Sequence, residues 1–166
     1  MTELLDIITK QSKLEIDKWV NKFPEDKKLS AVIPALTAVQ KQNDGSLNVE
    51  LMDAVASYLG VPRISVYEVA TFYSMFEHKK VGKHKLCVCT NISCMLRGSE
   101  EIVDHLKNKL QINFGEVTNC GTFSLKEVEC LGACVNAPVM QIEDKYYENL
   151  SNEKIDEIIE ELSESK

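Results

Sequence analysis

The stretch His84-Lys85-Leu86-Cys87-Val88-Cys89-Thr90-Asn91-Ile92-Ser93-Cys94 decides how the second half of this 166-residue chain is read. Residues 84–90 are rich in Leu, Val and Cys, which predicts a short buried strand. The strand runs straight into Cys89-Thr-Asn-Ile-Ser-Cys94, a C-x4-C pair, and residues 100–110 after it carry a helical stripe of Ile102, Val103, Leu106 and Leu110. A second pair, C-x3-C, follows in Cys130-Leu-Gly-Ala-Cys134. Each spacing lets a loop fold back so that both thiols face one metal centre. Gly98 and Gly132 would let the backbone come close.

Further along, residues 138–142 and 146–150 are expected to be strands, and Ser151 is expected to cap a last helix carrying Ile155, Ile158, Ile159 and Leu162. Strand, helix, loop, strands, helix is an α/β or α+β order, small enough for a thioredoxin-like sheet. The residues before about 80 read as helical, so two domains are expected, 1–80 and 81–166. Leu29, Val32, Ile33, Leu36 and Val39 form one stripe, with Ser30 as its expected N-cap and Pro34 tolerable only in the first turn. A turn is expected at Asn43-Asp44-Gly45-Ser46, then a helix over 49–59 closed by Gly60, and an earlier helix over 14–23 with the lone Trp19. Ser65-Val66-Tyr67-Glu68 predicts a capping box opening a helix that buries Val66, Val69, Phe72, Tyr73 and Phe76.

Charge removes several classes of function. The net charge is −7, and residues 143–166 hold most of it, with 3 Lys against 9 Asp or Glu. Without a basic stripe the chain is a poor nucleic-acid binder. No run of 18 apolar residues exists and the start lacks a secretory signal, so a cytoplasmic protein without direct membrane insertion is expected. No C-x-x-C, G-x-G-x-x-G or G-x-x-x-x-G-K-[ST] occurs, which argues against thioredoxin-type redox catalysis and against NADH or flavin held by this chain.

The six cysteines, at 87, 89, 94, 120, 130 and 134, all lie in the second half. In an intracellular chain of this size they point to metal or redox chemistry rather than disulfides. Four thiolates are what a [2Fe–2S] cluster takes, but a structural zinc site or unligated buried thiols remain open on spacing alone. Cys87 lies two residues from Cys89 on the same strand face, and either it or Cys120 could in principle replace a ligand, although small structural thiols are the simpler reading. His78, His84 and His105 lie outside the motifs, which argues against a Rieske-type site.

Residues 89–98 (CTNISCMLRG) and 123–139 (FSLKEVECLGACVNAPV) resemble the thioredoxin-like [2Fe–2S] subunits of respiratory complex I, as do 30–40 (SAVIPALTAVQ) and 58–76 (YLGVPRISVYEVATFYSMF). The resemblance spans about residues 13 to 162. It implies an N-terminal helical bundle followed by a thioredoxin-like [2Fe–2S] ferredoxin domain. It also implies one cluster, with Cys89 and Cys94 on one iron and Cys130 and Cys134 on the other. The implied work is electron exchange with the FMN of a partner flavoprotein subunit that oxidises NADH, within the peripheral arm of an NADH–quinone oxidoreductase at the inner membrane. Similar modules serve soluble NAD-linked hydrogenases and formate dehydrogenases. A zinc-stabilised interaction module is the alternative of another class.

Overall fold

The computed structural model describes residues 2–164. The chain divides into two compact units, with the boundary between Lys80 and Val81.

The first unit is helical: α1 (Thr2–Asp6), α2 (Lys10–Val20), a 3-10 segment (Glu25–Ala31), α3 (Val32–Gln42), α4 (Val49–Leu59) and α5 (Arg63–Phe72). Local chemistry sets several ends. Thr9 caps α2 by accepting from Ser12 N, and Asn48 caps α4 by accepting from Leu51 N at 2.8 Å. Gly60 ends α4 in a left-handed conformation, and Asp44 and Gly45 make the expected turn with positive φ. Ile16, Leu36, Val39, Val55, Leu59 and Val66 fill the core.

Four expectations fail in this unit. Ser30 caps nothing, because it lies inside the 3-10 segment and α3 begins at Val32 without a side-chain cap. Pro34 therefore falls in the first turn of α3, where its missing N–H costs no helical bond, and Leu29 is exposed rather than part of the buried stripe. The capping box does not form either, since α5 starts after Pro62 and Ser65 is already its third residue. Phe72 is 80% exposed and Tyr73 is 40% exposed, although Val66 and Phe76 are buried. Phe72 stands six residues beyond Val66, on the far side of a 3.6-residue helix, and Tyr73 is already extended, so the stripe stops there.

In the second unit, β1 (His84–Cys89) lies between β2 (Phe123–Val128) and β3 (Met140–Ile142), with β4 (Lys145–Tyr147) beyond β3, giving the order β2-β1-β3-β4. β1 and β2 are parallel, whereas β1–β3 and β3–β4 are antiparallel. A parallel pair needs a crossover, supplied by α7 (Ser99–Leu110) after the single-turn α6 (Ile92–Met95). Leu86 and Val88 of β1, Leu125 of β2 and Met140 and Ile142 of β3 meet Ile102 and Leu106 of α7 and Ile155 of α8 (Asn152–Glu164) in one core. Ser151 caps α8 as expected, accepting from Lys154 N at 3.3 Å. β2 is a strand where a loop was expected: Phe123 and Leu125 reach the core, Lys126 and the exposed Glu127 follow, and Val128 closes the strand against the buried cysteine pair. Gly82 stands where a Cβ would come within 2.4 Å of the Phe123 carbonyl carbon, so only glycine lets the chain enter β1 beside β2.

Candidate metal centre

Because β1 and β2 are parallel, their C-terminal ends lie side by side, with Cys89 opposite Val128. Each end feeds one cysteine pair. Beyond Cys89, Asn91 caps α6 by accepting from Ile92 N at 2.8 Å, and that turn carries Cys94. Beyond Val128, Cys130 and Cys134 flank Gly132, whose φ of +73° lets the loop double back at little steric cost. Cys134 then opens a 3-10 turn to Asn136 ahead of the cis Ala137–Pro138 bond.

The Cys94 thiol lies beside that of Cys89 and close enough to Cys134 to feel its charge. Burial, a hydrogen bond with the Cys89 thiol and the proximity of Cys89 and Cys134 push the Cys94 thiol well above its ordinary range, while the Val139 backbone N–H favours its thiolate. Cys130 receives the Gly132 N–H on its sulfur at 3.3 Å. Cys89 and Cys94 are 2% and 1% exposed, whereas Cys130 and Cys134 are exposed. The apolar wall of Ala137, Val139, Val128, Leu131 and Ala133 closes on the first pair.

The donor set fits a thiolate-ligated cluster. Backbone N–H groups already aim at Cys94 and Cys130, the bonds that a charged sulfur accepts well. Among the described residues no three His, Cys, Asp or Glu side chains gather around a single ion position. Two irons ask only for two thiolates each, so a set spread over two loops meets that demand.

The other candidates stand apart. Cys87 is half-buried in β1, with its side chain on the same face as Cys89. Cys120 sits in the turn before β2, where Gly121 O accepts from Lys83 N at the opposite end of the parallel pair. A strand of this length puts it roughly 20 Å from the cysteine loops, so Cys120 cannot replace a ligand without rebuilding the fold. His84 begins β1, His105 bonds Asp156 at 2.8 Å, and His78 bonds Ala70 O at 2.9 Å.

Sequence reasoning missed two features of the site. Thr90 Oγ1 donates to Glu127 Oε1 at 2.8 Å, joining the two strand ends just before the loops diverge. Ile92, Met95, Leu96 and Val135 stand exposed around the cysteines, at 65%, 43%, 77% and 85%. Four apolar residues close to the cysteine motifs were the available signal.

A family model described as thioredoxin-like [2Fe-2S] ferredoxin matches residues 16–163. The E subunit of the NADH-quinone oxidoreductase of Rickettsia bellii is 51% identical over 143 residues, 86% of each chain. NADH dehydrogenase [ubiquinone] flavoprotein 2, mitochondrial, of Dictyostelium discoideum is 42% identical over 158 residues, which are 95% of this chain and 64% of that one. Among solved structures, an NAD+-reducing [NiFe]-hydrogenase in the H2-reduced state is similar with a TM-score of 0.68 at 20% identity, over 80% of this chain and 23% of that chain. That last likeness shows a shared fold alone.

Proposed function

Since the chain belongs to the thioredoxin-like [2Fe-2S] ferredoxin family, we propose that it is the electron-transfer subunit of an NADH–quinone oxidoreductase, holding one [2Fe–2S] cluster on Cys89, Cys94, Cys130 and Cys134. The observation that carries this reading is the meeting of two thiol-bearing loops at the adjoining ends of β1 and β2, with backbone N–H groups directed at two of the sulfurs. When bound, such a cluster supplies reversible one-electron chemistry.

The chain's own residues do the rest. Cys89 and Cys94 hold the buried side, where Ala137 and Val139 exclude water. The N–H groups of Val139 and Gly132 offset negative charge on sulfur, which favours the reduced state and raises the potential. Cys130 and Cys134 hold the exposed side, from which an electron has the shorter path to a partner. That partner is an NADH-oxidising flavoprotein subunit carrying FMN, and other peripheral-arm subunits complete the assembly. No described helix is long and apolar enough to cross a membrane, so any membrane association runs through partners. Identity near half to the E subunits of two Rickettsia NADH-quinone oxidoreductases favours this assembly over a soluble hydrogenase or formate dehydrogenase.

An iron and acid-labile sulfide assay on anaerobically purified protein tests the reading, with EPR spectra before and after dithionite. About two irons and two sulfides per chain, silent until reduced to a spin-½ signal, are expected. Ala at Cys89, Cys94, Cys130 or Cys134 should abolish the signal, and Ala at Cys87 or Cys120 should not. Stoichiometric zinc without sulfide would overturn the reading in favour of a structural module.

A further inference from the structure

The thiol pairs sit on separate loops, and few bonds hold those loops at a fixed spacing. The backbone bond from Thr90 N to Val128 O, at 3.2 Å, joins the strand ends where the loops part. Two side-chain bonds cross at the same level: Cys89 Sγ to Glu129 O at 3.6 Å, and Thr90 Oγ1 to Glu127 Oε1 at 2.8 Å. The first needs a thiol proton that Cys89 gives up on binding iron. The second contains no ligand atom and survives loading. It also lies one residue after Cys89 and three before Cys130.

Topology makes this bond matter. β2 is an edge strand whose outer side is bridged by residues 115–118 only along 123–125, so no named strand holds its far end there. Glu127 is exposed at that edge, and a hydroxyl donating to a carboxylate makes a short, charge-assisted bond. A cluster is a rigid unit, and its four ligands must be held within about half an ångström of productive geometry. We propose that Thr90 and Glu127 are positioning residues for the cluster, a clasp between the two strand ends that fixes the spacing of the thiol pairs and so the retention of iron. The proposal rests on the ligand assignment above.

The test uses the full iron-loaded chain in five forms: wild type, Thr90→Val, Thr90→Ser, Glu127→Ala and Glu127→Gln. Iron release to excess chelator is followed by loss of visible absorbance, and the reduced EPR line shape and the melting of the iron-free chain are recorded beside it. Thr90→Val and Glu127→Ala should release iron several-fold faster and broaden the EPR signal, with iron-free melting unchanged. Thr90→Ser keeps the hydroxyl and should follow wild type, whereas Glu127→Gln keeps only a neutral acceptor and should fall between wild type and Glu127→Ala. Loaded wild type and Thr90→Val releasing iron at equal rates would overturn the clasp alone, as would faster release that merely tracks a lower iron-free melting point. Wild type purified without iron or sulfide would overturn the ligand assignment and the clasp together.

Discussion

At the scale of single residues, the cysteines differ because their neighbours differ. The Cys120 thiol stands 3.4 Å from the Thr118 hydroxyl and 3.2 Å from that of Thr122. Those hydroxyls, Thr118 first, hold its pKa down to about 7. Cys94 is pushed the other way by burial. A lowered pKa means that the reactive thiolate of Cys120 is populated above about pH 7 and lost below it. The alkylation by iodoacetamide that disappears in Cys120→Ser should therefore be half-maximal near pH 7. In Thr118→Val with Thr122→Val the midpoint should move up, toward the ordinary thiol value of about 8.5. An unmoved midpoint would show that the hydroxyls do not set the ionisation.

At the scale of elements, β1 and β2 need a backbone that can approach without a side chain between. At Gly82 a Cβ would meet backbone atoms of Phe123 and Ser124, which cannot swing aside as a side-chain tip could. Gly82→Ala should lower stability by about 1–3 kcal/mol, read as a lower urea midpoint at unchanged slope. An unchanged midpoint would mean that the strand entry shifts freely. The same pair of strands shows where the sequence could be read and where it could not. The bounds of α4 were legible because Leu51, Met52, Val55 and Leu59 repeat at helical spacing before a glycine. β2 was not, because its buried residues are only Phe123, Ser124 and Leu125 and the polar pair Lys126-Glu127 interrupts the run before Val128, so no clear alternation marks a strand. The cysteines were legible as a set through their spacing, but which end of the sheet each would occupy depends on the parallel pairing of β1 with β2. That long-range fact separates Cys120 from the rest and joins Thr90 to Glu127.

At the scale of the whole molecule, each unit has its own core, and the cysteines belong to the second. The proposed electron carrier must insulate its centre yet present it to a partner, and the four thiols divide in a way that suits this: Cys89 and Cys94 are buried, Cys130 and Cys134 are exposed. Ile92 and Leu96, which flank Cys94, and Val135, which follows Cys134, are each more than half exposed. Large apolar side chains grouped at a surface mark an interface more often than an idle face. Full burial of one aliphatic side chain contributes about 1.5–3 kcal/mol, so replacing two of them should weaken docking on the order of a hundredfold. The double variant Ile92→Asp with Leu96→Asp changes side chains that face solvent, and it should keep its iron, sulfide and EPR signal. Co-purified with the flavoprotein subunit proposed as its partner, it should be recovered alone where wild type is recovered as a pair, and the proposed electron transfer from NADH should fall with it. Recovery of an intact pair would place the docking face elsewhere on the chain, whereas loss of iron from the variant would show that these side chains shield the cluster rather than recruit a partner.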